Sequence, residues 1–181
     1  VDEGILERQV GSGTYVANQK VQEKMSGVTS FTDLMLAQGK QPASKTISYH
    51  VMSPSLSEAE KLKLHEDEQV LRMERIRFGD DVPICFEVAT VPEHLVDGLS
   101  KQEVTSSLYR ALEDKKNLNP GKAQQTVSAM SASERIAEFL KIKRGDAILR
   151  LRQVTYLQDG TPFEYVRTQY VGERFEFYLE K

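Results

Sequence analysis

Arg75 and Arg77 stand two residues apart in a stretch that alternates as a strand does, so both side chains leave the same face. Two guanidiniums so placed make a fork for a phosphate or a carboxylate. A solvated face of an edge strand fits the same spacing. Met73 shares their side and Glu74 and Ile76 the other, which leaves open which side is wet. Ser30-Phe31-Thr32 opens a helix-start pattern, whose free N–H groups and positive dipole end suit an anion. An ordinary cap is the plainer reading. Ser107 and Tyr109 offer hydroxyls at another helix start, either as a cap with a core-edge tyrosine or as ligand contacts. Glu87 and Glu164 are isolated acids in strands otherwise rich in Val, Ile, Phe and Tyr. Buried there, each needs a partner, such as a hydroxyl of a polar ligand. Exposure on a wet face accounts for either one equally well.

No catalytic set accompanies these residues. His50, His65 and His94 are scattered, and with Cys85 they form no metal-ligand spacing. Cys85 lies in an apolar strand and reads as a small core hydrophobe. Gly11-Ser12-Gly13 lacks the lysine and the strand-to-helix setting of a phosphate loop, and reads as a hairpin turn.

The elements that must carry these side chains can be traced along the chain. Val1–Val10 and Thr14-Tyr15-Val16 read as two short strands about that turn, a piece too small to be stable without a larger body. Residues 17–28 are polar and read as a linker. Thr29 or Ser30 can cap a helix with apolar Leu34, Met35 and Leu36, ended by Gly39. Ala43–Met52 reads as a strand, Ser106–Glu113 as the start of a helix, 122–130 as a strand and Arg174–Leu179 as a last one.

A duplication organises the middle. Ser57–Leu64 reads as a short amphipathic helix, followed by an alternating strand to Phe78, a reversal at Asp80-Asp81 and a second strand from Pro83. Arg135–Ile142 repeats the helix, Ile148–Tyr156 the strand, Gln158-Asp159-Gly160 the reversal and Pro162–Val166 the second strand. Leu62 to Leu140, Val70 to Ile148 and Phe78 to Tyr156 are equal steps. This implies two half-domains completing one antiparallel sheet, with helices on one side: an α+β fold.

Composition bounds the rest. A chain of 181 residues buries enough surface to fold without disulfides, and its single cysteine fits a reducing, cytoplasmic setting. No long uncharged apolar stretch is present, which argues against a membrane span. With 24 Lys plus Arg against 27 Asp plus Glu, a formal net charge of -3, the chain as a whole is no electrostatic DNA clamp.

Taken together, these pieces resemble a family. Ile5–Val16 looks like the closing wing of the winged helix-turn-helix in GntR-type bacterial repressors. Ser30-Phe31-Thr32-Asp33 with Gly39 and Pro42 is similar to the opening of the UTRA effector domain of the HutC branch. The likeness continues through Glu74-Arg75-Ile76-Arg77, Asp81-Val82-Pro83-Ile84, Ser107-Leu108-Tyr109, Pro162-Phe163-Glu164-Tyr165 and Arg174-Phe175-Glu176-Phe177. The resemblance implies a chorismate lyase-like fold, a homodimer, and a small-molecule effector that alters how paired winged helices sit on operator DNA. It divides the chain into a wing remnant (1–18), a linker (19–28) and an effector-binding domain (29–181), with the recognition helix outside this sequence. It assigns effector phosphate to Ser30, Phe31, Thr32, Arg75, Arg77, Ser107 and Tyr109, and sugar contacts to Glu87, Glu164 and Tyr170. An amino-sugar 6-phosphate is the expected effector, with no cofactor, metal or membrane contact. The alternatives are a chorismate lyase-like enzyme and a dimerisation module without ligand. The winged-helix likeness and the lack of a paired acid–base set weigh against the first.

Overall fold

The computed structural model describes residues 6–9, 13–16 and 20–180. Strands β1 (Leu6–Gln9) and β2 (Gly13–Val16) pair antiparallel, Leu6 opposite Val16. The turn expected at Gly11-Ser12-Gly13 lies mostly outside the described residues, as do parts of the 1–18 segment and of the linker. Within the expected linker a strand stands instead: β3 (Val21–Lys24) pairs parallel with β10 (Phe175–Tyr178), and Val21 is buried.

Six strands make the main sheet: β4 (Pro42–Met52), β5 (Val70–Gly79), β6 (Val82–Pro92), β7 (Pro120–Ser131), β8 (Ala147–Leu157) and β9 (Pro162–Val171). Their spatial order is β4-β5-β6-β9-β8-β7, every neighbouring pair antiparallel. Read inward from each edge, the order is 4-5-6 and 7-8-9, so the two copies of the repeat meet at β6 and β9. Helices α2 (Leu56–Leu62) and α6 (Glu134–Leu140) occupy equivalent places in the two copies. Ser55 and Ser133 cap their starts, and Lys63 and Lys141 close their ends in the left-handed conformation, φ 53° and 55°. The repeat legible in the apolar positions thus extends to the caps.

Helices do not keep to one side, contrary to the expectation from the repeat. α2 and α6 cover one face, where Leu62 meets Val70, Val154 and Tyr165, and Ile136, Ala137 and Leu140 meet Ile76, Phe86 and Ile148. The other face carries α1 (Phe31–Ala37), α3 (Glu93–Val96), α4 (Lys101–Ser106) and α5 (Leu108–Lys116). There Val104, Leu108 and Leu112 pack on Leu71, Met73, Ala89 and Val91. The physical reason is that the central strands are apolar on both sides: nearly all of β6 is buried. A strand covered twice reads as a continuous apolar run, which alternation cannot assign to one layer. Among the described residues no helix is long and apolar enough to cross a membrane.

Candidate functional site

The register brings the chemistry-bearing residues into rows on the face beneath α1, α4 and α5. Arg75 lies opposite Glu87, Glu87 opposite Thr168, and Thr168 opposite Leu151. In the next row Arg77 lies opposite Cys85, and Cys85 opposite Tyr170. Residues directly opposite on antiparallel strands point to the same face, so the arginines, Glu87 and Tyr170 share one floor. That face is dry: Arg75 and Arg77 are only 4% and 3% exposed, Glu87 and Glu164 7% and 5%. The solvated-face reading is thereby removed for all four.

The two arginines have different situations. Arg75 is fully engaged: Nε donates to Glu87 Oε1 at 2.6 Å, its Nη2 also pairs with Glu87, and Nη1 donates to the carbonyls of Val104 (3.2 Å) and Thr105 (2.8 Å). These carbonyls end α4, where the last turn leaves acceptors unpaired and the helix dipole favours a cation. Arg77 has a looser hold. Nη2 donates to Thr32 Oγ1 at 3.2 Å, Nη1 is 3.6 Å from Glu87 Oε1, and the guanidinium lies 4.6 Å from the Phe31 ring centre. Its Nε has no partner among the described residues, and neither does the buried Ser107 Oγ. Burial and the adjacent Arg75 charge bring Arg77 down to about 10. Burial pushes Glu87 up, and the two arginine charges outweigh it, so Glu87 is held below the usual carboxylate range.

Glu164 belongs to a separate network. Tyr109 Oη donates to Glu164 Oε2 at 2.7 Å and Thr155 Oγ1 to the same oxygen at 3.1 Å, while Gln153 Nε2 donates to Thr155 Oγ1 at 2.9 Å. No cation is in this set, and burial drives Glu164 up to about 7. Burial also pushes Tyr109 well above its ordinary value. Tyr170 is fixed by β10, its ring stacked on Phe175 at 3.9 Å and edge-on to Phe177 at 5.5 Å.

These side chains enclose a small polar cavity of about 70 Å³. Nine of the ten residues singled out from the sequence line it: Ser30, Phe31, Arg75, Arg77, Ser107, Tyr109, Glu87, Glu164 and Tyr170. Thr32 does not; it borders an outer groove of about 390 Å³ together with Ser44, Arg77, Ser107 and Arg110. Arg77 and Ser107 belong to both spaces and so mark the wall between them.

The helix starts also differ from one another. Ser30 caps α1, accepting from the Asp33 N–H at 3.1 Å. Ser107 makes no cap bond: α4, which the sequence did not reveal, ends at Ser106, and Ser107 is the extended hinge to α5. Its hydroxyl therefore stays available to the cavity. Three lining residues escaped sequence reasoning: Glu23, Gln153 and Thr168. Gln153 and Thr168 carried a signal, since each is polar within a strand that is otherwise largely buried. Glu23 carried none beyond its alternation with Val21.

The pattern that describes the UTRA domain matches residues 37–176. The chain belongs to the UTRA family. It is the ligand-binding regulatory domain of a GntR-type transcriptional regulator of the HutC branch, a family of regulators and not of enzymes. This UTRA chain is similar to the HTH-type transcriptional repressor NagR of Bacillus subtilis, 31% identical over 177 residues, 98% of this chain and 73% of that protein. It is 26% identical over 179 residues to the mannosyl-D-glycerate transport/metabolism system repressor MngR of Escherichia coli, covering 99% of this chain and 75% of that one. A crystal structure of a GntR-family transcriptional regulator from Enterococcus faecalis V583 is 61% identical and superimposes with a TM-score of 0.72. The match covers 77% of this chain and 100% of that one.

Proposed function

We infer that this UTRA domain binds a small phosphorylated effector, an amino-sugar 6-phosphate, between the inner cavity and the outer groove. The observation that carries the reading is the state of Arg77: a buried guanidinium whose Nε, like the Ser107 hydroxyl, has no partner among the described residues. Arg75 and Arg77 share the one carboxylate of Glu87, which Arg75 holds closely and Arg77 only at 3.6 Å, so an anion beside Arg77 supplies the acceptor that this guanidinium lacks. Unsatisfied buried donors cost about 1–3 kcal/mol each, more when charged, and a phosphate accepting from both recovers that cost. Ser30, Phe31 and Thr32 at the start of α1 complete the phosphate end with Tyr109, which offers its backbone N–H in the first turn of α5 because its hydroxyl is given to Glu164. Glu87, Glu164 and Tyr170 face the sugar. Descent from a group that includes a mannosyl-D-glycerate repressor supports a sugar-linked effector.

The inner cavity alone is too small for a hexose phosphate, since pockets for small molecules hold roughly 300 Å³ or more. The effector therefore enters with a displacement of the α1 start, which the exposed Asp33–Arg110 ion pair now ties to α5. That movement is the allosteric step: a ligand shifts an equilibrium only by binding one arrangement better than another. The β1–β2 hairpin is read as the wing of the DNA-binding unit that the effector controls in a homodimer.

Calorimetric titration with glucosamine 6-phosphate, N-acetylglucosamine 6-phosphate, trehalose 6-phosphate and the matching bare sugars tests this. Micromolar binding of one phosphate, lost for its bare sugar, is expected. Binding of a bare sugar as tightly as its phosphate contradicts it.

A further inference from the structure

Glu23 is the one cavity-lining residue that lies on the short strand β3, ahead of the Thr29–Phe31 segment that lines the same cavity. Its strand is held by backbone pairing to β10, with Glu23 opposite Phe177, and by bonds from the Val21 N–H to the Arg174 carbonyl and from the Met25 N–H to the Tyr178 carbonyl, both 2.9 Å. Phe177 packs edge-on against Tyr170, so Glu23 reaches the cavity at the end that Tyr170 walls.

The other two cavity acids are taken. Glu87 is paired with Arg75, and Glu164 accepts from Tyr109 and Thr155. Among the described residues no donor or cation meets the Glu23 carboxylate; the neighbouring ionisable groups are Tyr170 and Cys85. Burial pushes Glu23 up to about 7, as befits an acid drawn toward the interior with nothing to balance it. The cavity thus holds a donor without an acceptor, Arg77 Nε, and an acid without a donor, Glu23, among the described residues.

We propose that Glu23 is an effector-contacting residue that pairs with a cationic group of a zwitterionic effector, and that this contact ties occupancy of the cavity to the docking of β3 on β10. The proposal rests on the phosphorylated-effector reading above and adds the partner for the effector's ammonium. An ammonium–carboxylate contact out of water is worth more than a hydroxyl contact at the same place. β3 follows the β1–β2 pair in the chain, so the contact places the ligand next to the segment that comes after that pair.

The test uses glucosamine 6-phosphate and glucose 6-phosphate, which differ in an ammonium against a hydroxyl, titrated calorimetrically into the wild-type chain and into Glu23→Gln. The wild type is expected to prefer the amino sugar at least tenfold, and E23Q to lose that preference while binding glucose 6-phosphate within about threefold of wild type. Hydrogen exchange at the Val21 to Met25 amides is expected to slow on adding glucosamine 6-phosphate to wild type and not to E23Q. A preference retained in E23Q, a wild type that never distinguishes the two, or equal protection of β3 in both proteins overturns the Glu23 assignment alone. A wild type that binds neither sugar phosphate overturns the phosphate reading, and this inference with it.

Discussion

Glu58 and Glu164 are buried carboxylates packed against opposite faces of the same sheet, and their surroundings are opposites. Glu58, 1% exposed, receives the Ser55 N–H and hydroxyl at 2.9 and 2.7 Å, Arg72 Nε at 3.0 Å and Thr90 Oγ1 at 2.9 Å, with Arg167 3.5 Å away. Burial alone raises an acid; these donors outweigh it and hold Glu58 at about 2. Glu164 has two hydroxyl donors on one oxygen and sits at about 7. Around Glu58 the polar groups are used on one another, and Gln169 Oε1, farther along the same face under α6, is the buried side-chain atom there without a partner among the described residues. The face under α1, α4 and α5 has left Arg77, Ser107 and Glu23 short of partners. Satisfied networks stabilise, and unsatisfied ones are tolerated where a ligand completes them.

The largest effect that sharpens this contrast is on the satisfied face. Glu58→Ala removes a capping box and leaves Arg72 and Thr90 without their acceptor, so stability should fall by about 3 kcal/mol in denaturant unfolding. Effector affinity should not change.

Next comes the pH dependence, which has opposite signs at Glu58 and Glu164. Glu58 contributes stability present above its unfolded value of 4.5 and lost as pH falls toward 2. Glu164 takes up a proton more readily folded than unfolded, so its ionisation costs stability as pH rises from 4.5 to about 7. The shift corresponds to something on the order of 3 kcal/mol. Unfolding free energies measured from pH 4.5 to 7.5 should therefore decline less steeply in Glu164→Gln than in wild type. Glu23 acts with the same sign in the same window.

A smaller effect is expected at Ser107. Its hydroxyl bonds to nothing described, so Ser107→Ala should leave thermal stability within about 0.5 kcal/mol while weakening phosphate-effector binding by roughly fivefold. The smallest is at the Asp33–Arg110 pair, whose partners are each 47% exposed. Arg110→Ala should change stability by less than about 1 kcal/mol and speed effector entry by freeing the start of α1. Stopped-flow association rates check this.

Much of this was legible in the residues. The hairpins of the duplicated halves follow from alternation broken by Asp80-Asp81 and by Gln158-Asp159-Gly160, and the arginine pair from its period of two. What was hidden depended on partners far along the chain. Whether Arg75 and Arg77 face water is decided by α4 and α5, not by β5 itself. β3 is a strand because Phe175–Tyr178 pairs with it; one valine followed by three polar residues carries no such information alone. Ser107 reads as a cap until α4 is seen to end just before it. The one-sided placement of helices failed because β6 is buried on both faces, which erases the alternation that would have shown a second layer.

The division between the two faces is tested most directly by titrating Arg77→Ala with the phosphorylated effector and its bare sugar while measuring its unfolding free energy. Arg77 should be needed for binding and not for folding: phosphate affinity falls about 100-fold, bare-sugar affinity is unchanged, and stability is equal to or above wild type. A variant destabilised as Glu58→Ala is, with its preference for the phosphorylated ligand intact, would contradict the division and place Arg77 among the structural ion pairs.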